Sequence, residues 1–152
     1  MGFVSRLLGS GTVRRELMSE LIDDYRAEVT QAIVLRQHAE LARYPQVAAQ
    51  LRAIAAAEDG HAALLRDHIL GMGGGIPPVA PDPLPGRNQW ERAVGARKAA
   101  QEKRRRLIEH ATHWDPEEPR SAKLLARIYD EDGDQLAAYD DVVIRSDPHA
   151  LD

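Results

Sequence analysis

The sequence predicts an all-α chain folded as one four-helix bundle, on three observations. Alanine and leucine dominate while β-branched residues are sparse, which favours helix over sheet. Apolar residues recur at spacings of three and four through four separate stretches, the signature of a helix with one buried face. A single segment rich in proline and glycine divides those stretches into two pairs. At 152 residues, 43% hydrophobic and 29% charged, the chain suits one domain with a core of its own.

The first helix is expected from about Glu16 to Arg43, after an N-terminal segment, residues 1–15, read as flexible or docking. Met1 to Gly9 is too short for a signal peptide or a membrane span, and Arg6 stands where a myristoylation motif needs Ser or Thr. The second helix runs from about Pro45 to Leu70. Proline suits its first turn, where a missing N–H costs nothing. The third runs from about Asn88 to His113. The fourth runs from Pro116 or Pro119 to Ile144, with Asp115 and Glu118 spaced as a capping box. The bundle domain thus covers 16–152. Short junctions make the first helix antiparallel to the second, and the third to the fourth.

The segment 71–89 is a different element. It carries Gly73-Gly74-Gly75 and prolines at 77, 78, 81, 83 and 85, so no helix survives in it. Its 19 residues reach roughly 60 Å when extended. The helices are only about 38 Å long. A crossover of that reach can return to the starting end and make the second and third helices parallel.

Acids interrupt the apolar seams at one level. Glu28 lies within the series Leu21, Tyr25, Glu28, Ala32, Leu35. Glu58 and His61, one turn apart on one face, lie within Leu51, Ile54, Glu58, His61, Leu65. Ionised carboxylates buried together require a positive counterpart. Divalent iron or manganese suits such oxygen and imidazole donors, as one ion or two. An internal repeat at a shift of 74 residues pairs Glu28 with Glu102, Glu58 with Asp132 and His61 with Gln135. A shift of 73 instead pairs Glu58 with Glu131 and His61 with Asp134. The candidate ligands are therefore Glu28, Glu58, His61, Glu102, Glu131 and Asp132. Periodicity of the third helix, however, puts Arg97 and Arg104 on the apolar face and Glu102 nearly opposite. That alternative gives a metal-free structural or interaction protein with an inward arginine neutralising Glu28, Glu58 and Asp132.

Glu28 with Glu58-x-x-His61, the echo after 74 residues and the crossover together resemble the ferritin-like superfamily, and within it the rubrerythrin-like branch. The resemblance spans Glu16 to Ile144. It implies two irons held between the helices, with reduction of peroxide or O2 or oxidation of ferrous iron, and a homodimer. Glu28, Glu58 and His61 match residue by residue, while Glu102 and Glu131 or Asp132 match in type only. The family's second histidine has no counterpart.

Composition excludes much else. With no cysteine, disulfides, thiolate metal sites and rubredoxin-type iron are ruled out, and a cytoplasmic setting is expected. A net charge of -4 gives no footprint for nucleic acid, and Lys103-Arg104-Arg105-Arg106 reads as a solvated flank. No membrane span is expected. His38, His110 and His113 are read as surface residues, and His68 as the flank of a seam or an outer ligand.

Overall fold

Four amphipathic stretches can bury their apolar faces only against one another, and they do so as a bundle. The computed structural model describes residues 2–82 and 85–150, with side chains described from residue 11 onward. The helices are α1 (Gly2–Leu41), α2 (Pro45–Gly71), α3 (Gln89–Trp114) and α4 (Pro119–Ile144). There is no strand among the described residues. The expected break near Glu16 is absent, since α1 runs without interruption from Gly2. Val13 already packs on the core, and Arg14 donates to the carbonyl of Met72. The role expected of Met1 to Gly9 lies outside the described side chains.

Local chemistry sets the ends. Pro45 opens α2 with Tyr44 as its extended N-cap. Gly73 adopts φ +84° after α2, and the N–H of Gly74 returns to the carbonyl of Ile69 at 2.9 Å, a left-handed stop suited to glycine. Gly74 also has no room for a Cβ, which would meet Met18 Sδ at 2.5 Å and Ile69 Cγ2 at 2.8 Å. Asn88 Oδ1 caps α3 by accepting from Glu91 N–H at 2.8 Å. The capping box expected before α4 does not form. Asp115 ends α3 instead, and Glu118 precedes Pro119 as the α4 N-cap.

Cross-helix contacts fix the topology. Along α1 in reverse, Gln31, Glu28, Asp24 and Glu20 meet Ala96, Lys103, His110 and Trp114, so α1 and α3 are antiparallel. Along α2, Gln50, Glu58, His61 and His68 meet Asp141, Tyr139, Asp132 and Ser121, so α2 and α4 are antiparallel too. The chain reversal at Tyr44-Pro45 makes α2 antiparallel to α1, hence parallel to α3. The crossover between them spans the bundle, as its length requires.

The core has two apolar halves. One contains Leu35, Val47, Leu51, Ile54, Ala96 and Val142. The other contains Leu21, Leu65, Ile69, Leu107, Trp114 and Leu125. Between them lies a layer of buried charged side chains, and all four helices contribute to it.

Candidate functional site

The layer is built by the same periodicity that builds the core. Glu28 on α1, Glu58 and His61 on α2, Lys103 on α3 and Asp132 on α4 each fall where an apolar residue would otherwise sit. All five are at most 5% exposed. Ligand atoms of Glu28, Glu58, His61 and Asp132 lie within 4.8 Å of one another.

Lys103 stands among them. Its Nζ donates to Glu28 Oε2 at 2.7 Å and to Glu58 Oε2, and lies 3.3 Å from Asp132 Oδ2. Burial alone would lower the lysine pKa, but Glu28, Glu58 and Asp132 reverse this and hold it above its ordinary value. The ammonium therefore stays charged. His61 turns Nδ1 to Asp132 Oδ1 and Nε2 to Glu131 Oε2, each at 3.1 Å. Burial opposes its protonation, yet Asp132, Glu28 and Glu58 hold its pKa at about 12. It too is a cation.

The acids divide the remaining charge. Burial pushes Glu28 up to about 8 despite the attraction of Lys103. Burial would also raise Glu58, but bonds from His61, Glu28 and Lys103 keep it well below the usual carboxylate range. Tyr139 donates to Glu58 Oε1 at 2.9 Å and accepts from Gln31 Nε2 at 2.9 Å, which fixes that carboxylate on its second oxygen. Burial and the neighbouring Glu58 charge raise the phenol pKa, so it remains a donor.

The sequence expectations divide accordingly. Glu28, Glu58, His61 and Asp132 converge at one level. Glu131 sits at the rim, half exposed and paired with Arg127 at 2.9 Å, and reaches the layer only through His61. Glu102 is a correction. It faces solvent on the outer side of α3 and pairs with Arg105, because the seam of α3 passes one residue further on. Neither expected arginine enters the layer. Arg97 pairs with Asp140, and Arg104 lies 3.8 Å over the Tyr129 ring with its Nε bonded to the Tyr129 carbonyl. A Cβ at Gly133 would meet Arg104 Nη2 at 2.5 Å, so a side chain there would make the guanidinium end shift.

The cation missed is Lys103, read as part of a solvated basic run. A signal for it existed. Ala96, Ala100, Lys103, Leu107, Ala111 and Trp114 recur at spacings of three or four, so Lys103 occupies a seam position that its charge disguised. Two histidines also differ from expectation. His110 is half-buried and pairs through Nδ1 with the buried Asp24 at 2.7 Å. His38 is buried, its pKa lowered to about 4 by burial and by Arg92. His68 bonds Ser121 Oγ at 2.7 Å, away from the layer.

The donor set tests poorly against two metal ions. A dinuclear site needs carboxylates from α1 and α3 and a second histidine on α4. Here α3 supplies an ammonium and α4 supplies Asp132, with Gln135 standing by the sequence repeat where the second histidine is needed. One ion finds four donors of suitable type, and Glu28 Oε1 lacks a hydrogen-bond partner. Lys103 Nζ already contacts three of those four residues.

The sequence matches no family model and no curated protein. Solved structures do match. BfrA from Mycobacterium tuberculosis, a bacterioferritin, gives TM-scores of 0.75 and 0.74 in two structures at 18% identity; the alignments cover 83% of this chain and 81% and 82% of those chains. A mycobacterial bacterioferritin gives 0.73 at 18% identity, covering 83% of this chain and 81% of its own. The likeness establishes a shared ferritin-like four-helix fold. No helix among the described residues is long and apolar enough to cross a membrane.

Proposed function

We propose that this chain is a ferritin-like bundle working without a dinuclear iron centre, as a structural or binding module whose central acids are neutralised from within. The observation that carries this reading is the Lys103 ammonium, 2.7 Å from Glu28 and in contact with Glu58 and Asp132. A lysine side chain is covalently tethered at the level of the acids, so a free divalent ion must displace it to enter. The rubrerythrin-like di-iron reading, with peroxide or O2 as substrate, loses support from the same contact and from the outward Glu102. The homodimer expected with the fold stays part of the proposal.

One observation favours a second reading. Four donor atoms lie within 4.8 Å of one another, and Glu28 Oε1 keeps no hydrogen-bond partner. Glu28, Glu58, His61 and Asp132 would then hold a single ferrous or manganous ion once Lys103 swings aside and His61 gives up its proton. Such an ion would supply Lewis acidity or a redox centre; the chain would supply the dry, acidic cradle and the Tyr139 bond that orients Glu58.

Metal analysis of protein purified without chelator, then equilibrated with iron(II) or manganese(II), separates the two. The lysine-neutralised reading expects less than about a tenth of an equivalent per chain, rising toward one in Lys103→Ala. About one equivalent in the unaltered chain overturns it in favour of the second reading.

A further inference from the structure

The end of the bundle remote from the crossover's start holds a cavity of about 510 Å³, bordered by Leu41, Arg43, Tyr44, Gln89, Arg145 and Ala150. That volume lies within the range of small-molecule sites, roughly 300–1,000 Å³. From these walls we infer a binding site for a small amphipathic monocarboxylate, with its carboxylate on the arginines and its apolar part on Leu41, Tyr44 and Ala150.

The walls are held in place. Asn88 Nδ2 donates to the Pro148 carbonyl at 3.2 Å, Gln89 Nε2 to Ser146 Oγ at 2.8 Å, and Ser146 Oγ to the Val142 carbonyl at 2.7 Å. These bonds pin the segment after α4 against the start of α3, so the cavity is a feature of the fold.

Its chemistry runs against the rest of the chain. The chain carries a net charge of -4, yet this cavity has two guanidiniums and one carboxylate, Asp147, on its walls. Arg43 has no carboxylate partner among the described residues and lies 6.0 Å from the Tyr44 ring centroid. Arg145 uses Nε on Asp141 at 2.8 Å, leaving its terminal N–H groups for another acceptor. Apolar surface gathers here as well. Leu41, Tyr44 and Ile144 are three of the five large hydrophobic residues exposed on the described surface. Behind Gln89, which borders both spaces, His38 is 4% exposed with no hydrogen-bond partner on either ring nitrogen. A built end with spare donors and an apolar lining suits a ligand that is anionic at one end and hydrocarbon at the other.

The test is a titration of the 15N-labelled full chain with octanoate, followed by amide shifts, with octan-1-ol as the uncharged control. The site predicts saturable shifts at residues 41–44, 89, 145–147, 149 and 150. Arg43→Ala weakens octanoate about tenfold or more, the worth of one charge-assisted contact, and leaves octanol unchanged. Ala150→Trp, which fills the cavity, abolishes both. Both positions are peripheral to the core, and circular dichroism checks that each variant remains helical. The inference is overturned by shifts that do not saturate, by shifts elsewhere in the bundle, or by equal octanoate affinity in Arg43→Ala.

Discussion

Replacing Lys103 with methionine removes its charge and shortens the side chain by one heavy atom, and the consequence follows from the contacts of Nζ. Nζ lies 2.7 Å from Glu28 and also contacts Asp132 and Glu58, whose carboxylate stays ionised. Burying the ammonium costs several kcal/mol, so the net contribution of any one pair is modest. Removing the ammonium is a different matter, because Glu28, Glu58 and Asp132 then share a dry layer with only His61 as counter-charge. Loss of one partner from a buried ionic cluster costs about 3–5 kcal/mol. For a chain of this size that lowers Tm by roughly 10–15 °C. Glu28 limits the damage, since its carboxyl is already pushed up to about 8 and protonates readily. The loss in Lys103→Met is therefore smaller at pH 5.5 than at pH 8, where protons are scarcer. Urea unfolding at both pH values, with and without chelator, measures this. A variant within about 1 kcal/mol of the parent at pH 8 would refute the reasoning, and so would a loss larger at pH 5.5 than at pH 8.

Other expectations follow from the same geometry. Because His61 rises from 6.5 to about 12 in the fold, its contribution is complete below pH 6.5 and is lost as pH climbs above that. Stability read by urea midpoints then declines from pH 6.5 toward pH 10, by up to about 1.4 kcal/mol per unit for each proton released; a flat profile contradicts the assignment. At pH 8 the Glu28 carboxyl is about half ionised, so Glu28→Gln removes part of the unbalanced charge and in a double-mutant cycle at that pH relieves part of the Lys103→Met penalty; strict additivity would show the two side chains uncoupled. His110→Ala strips the buried Asp24 of its partner and costs about 1–3 kcal/mol by thermal unfolding. Gly60→Ala gains about 0.5–1 kcal/mol, because a Cβ there has nothing within 4 Å and the position lies inside α2.

The resemblance to bacterioferritin structures concerns the backbone path, whereas the chemistry of this chain's central layer has to be judged from its own side chains. At 18% identity the likeness covers the fold alone, and in this chain an ammonium at a seam position of α3 limits what the layer can hold. Tyr139 and Gln31 extend the layer by a polar step without adding a ligand.

By itself the sequence determined the helices, their pairing by short junctions, the reach of the crossover and the level at which Glu28, Glu58 and His61 meet. Those features depend on periodicity, on chain reach and on glycine and proline, all of which act over a few residues. It left the fourth acid open between Glu131 and Asp132, and it set Glu102 against Arg97 and Arg104 on α3. Tertiary structure decided those points. The repeat that pairs Glu28 with Glu102 is one residue out of step on α3, and a step of one residue turns a helix by about 100°. That rotation takes Glu102 out to Arg105 in solvent and brings Lys103 into the layer. Whether a lysine in a basic run is solvated or buried depends on how many acids await it on neighbouring helices. That is a property of four helices in register, and no single stretch of the chain contains it.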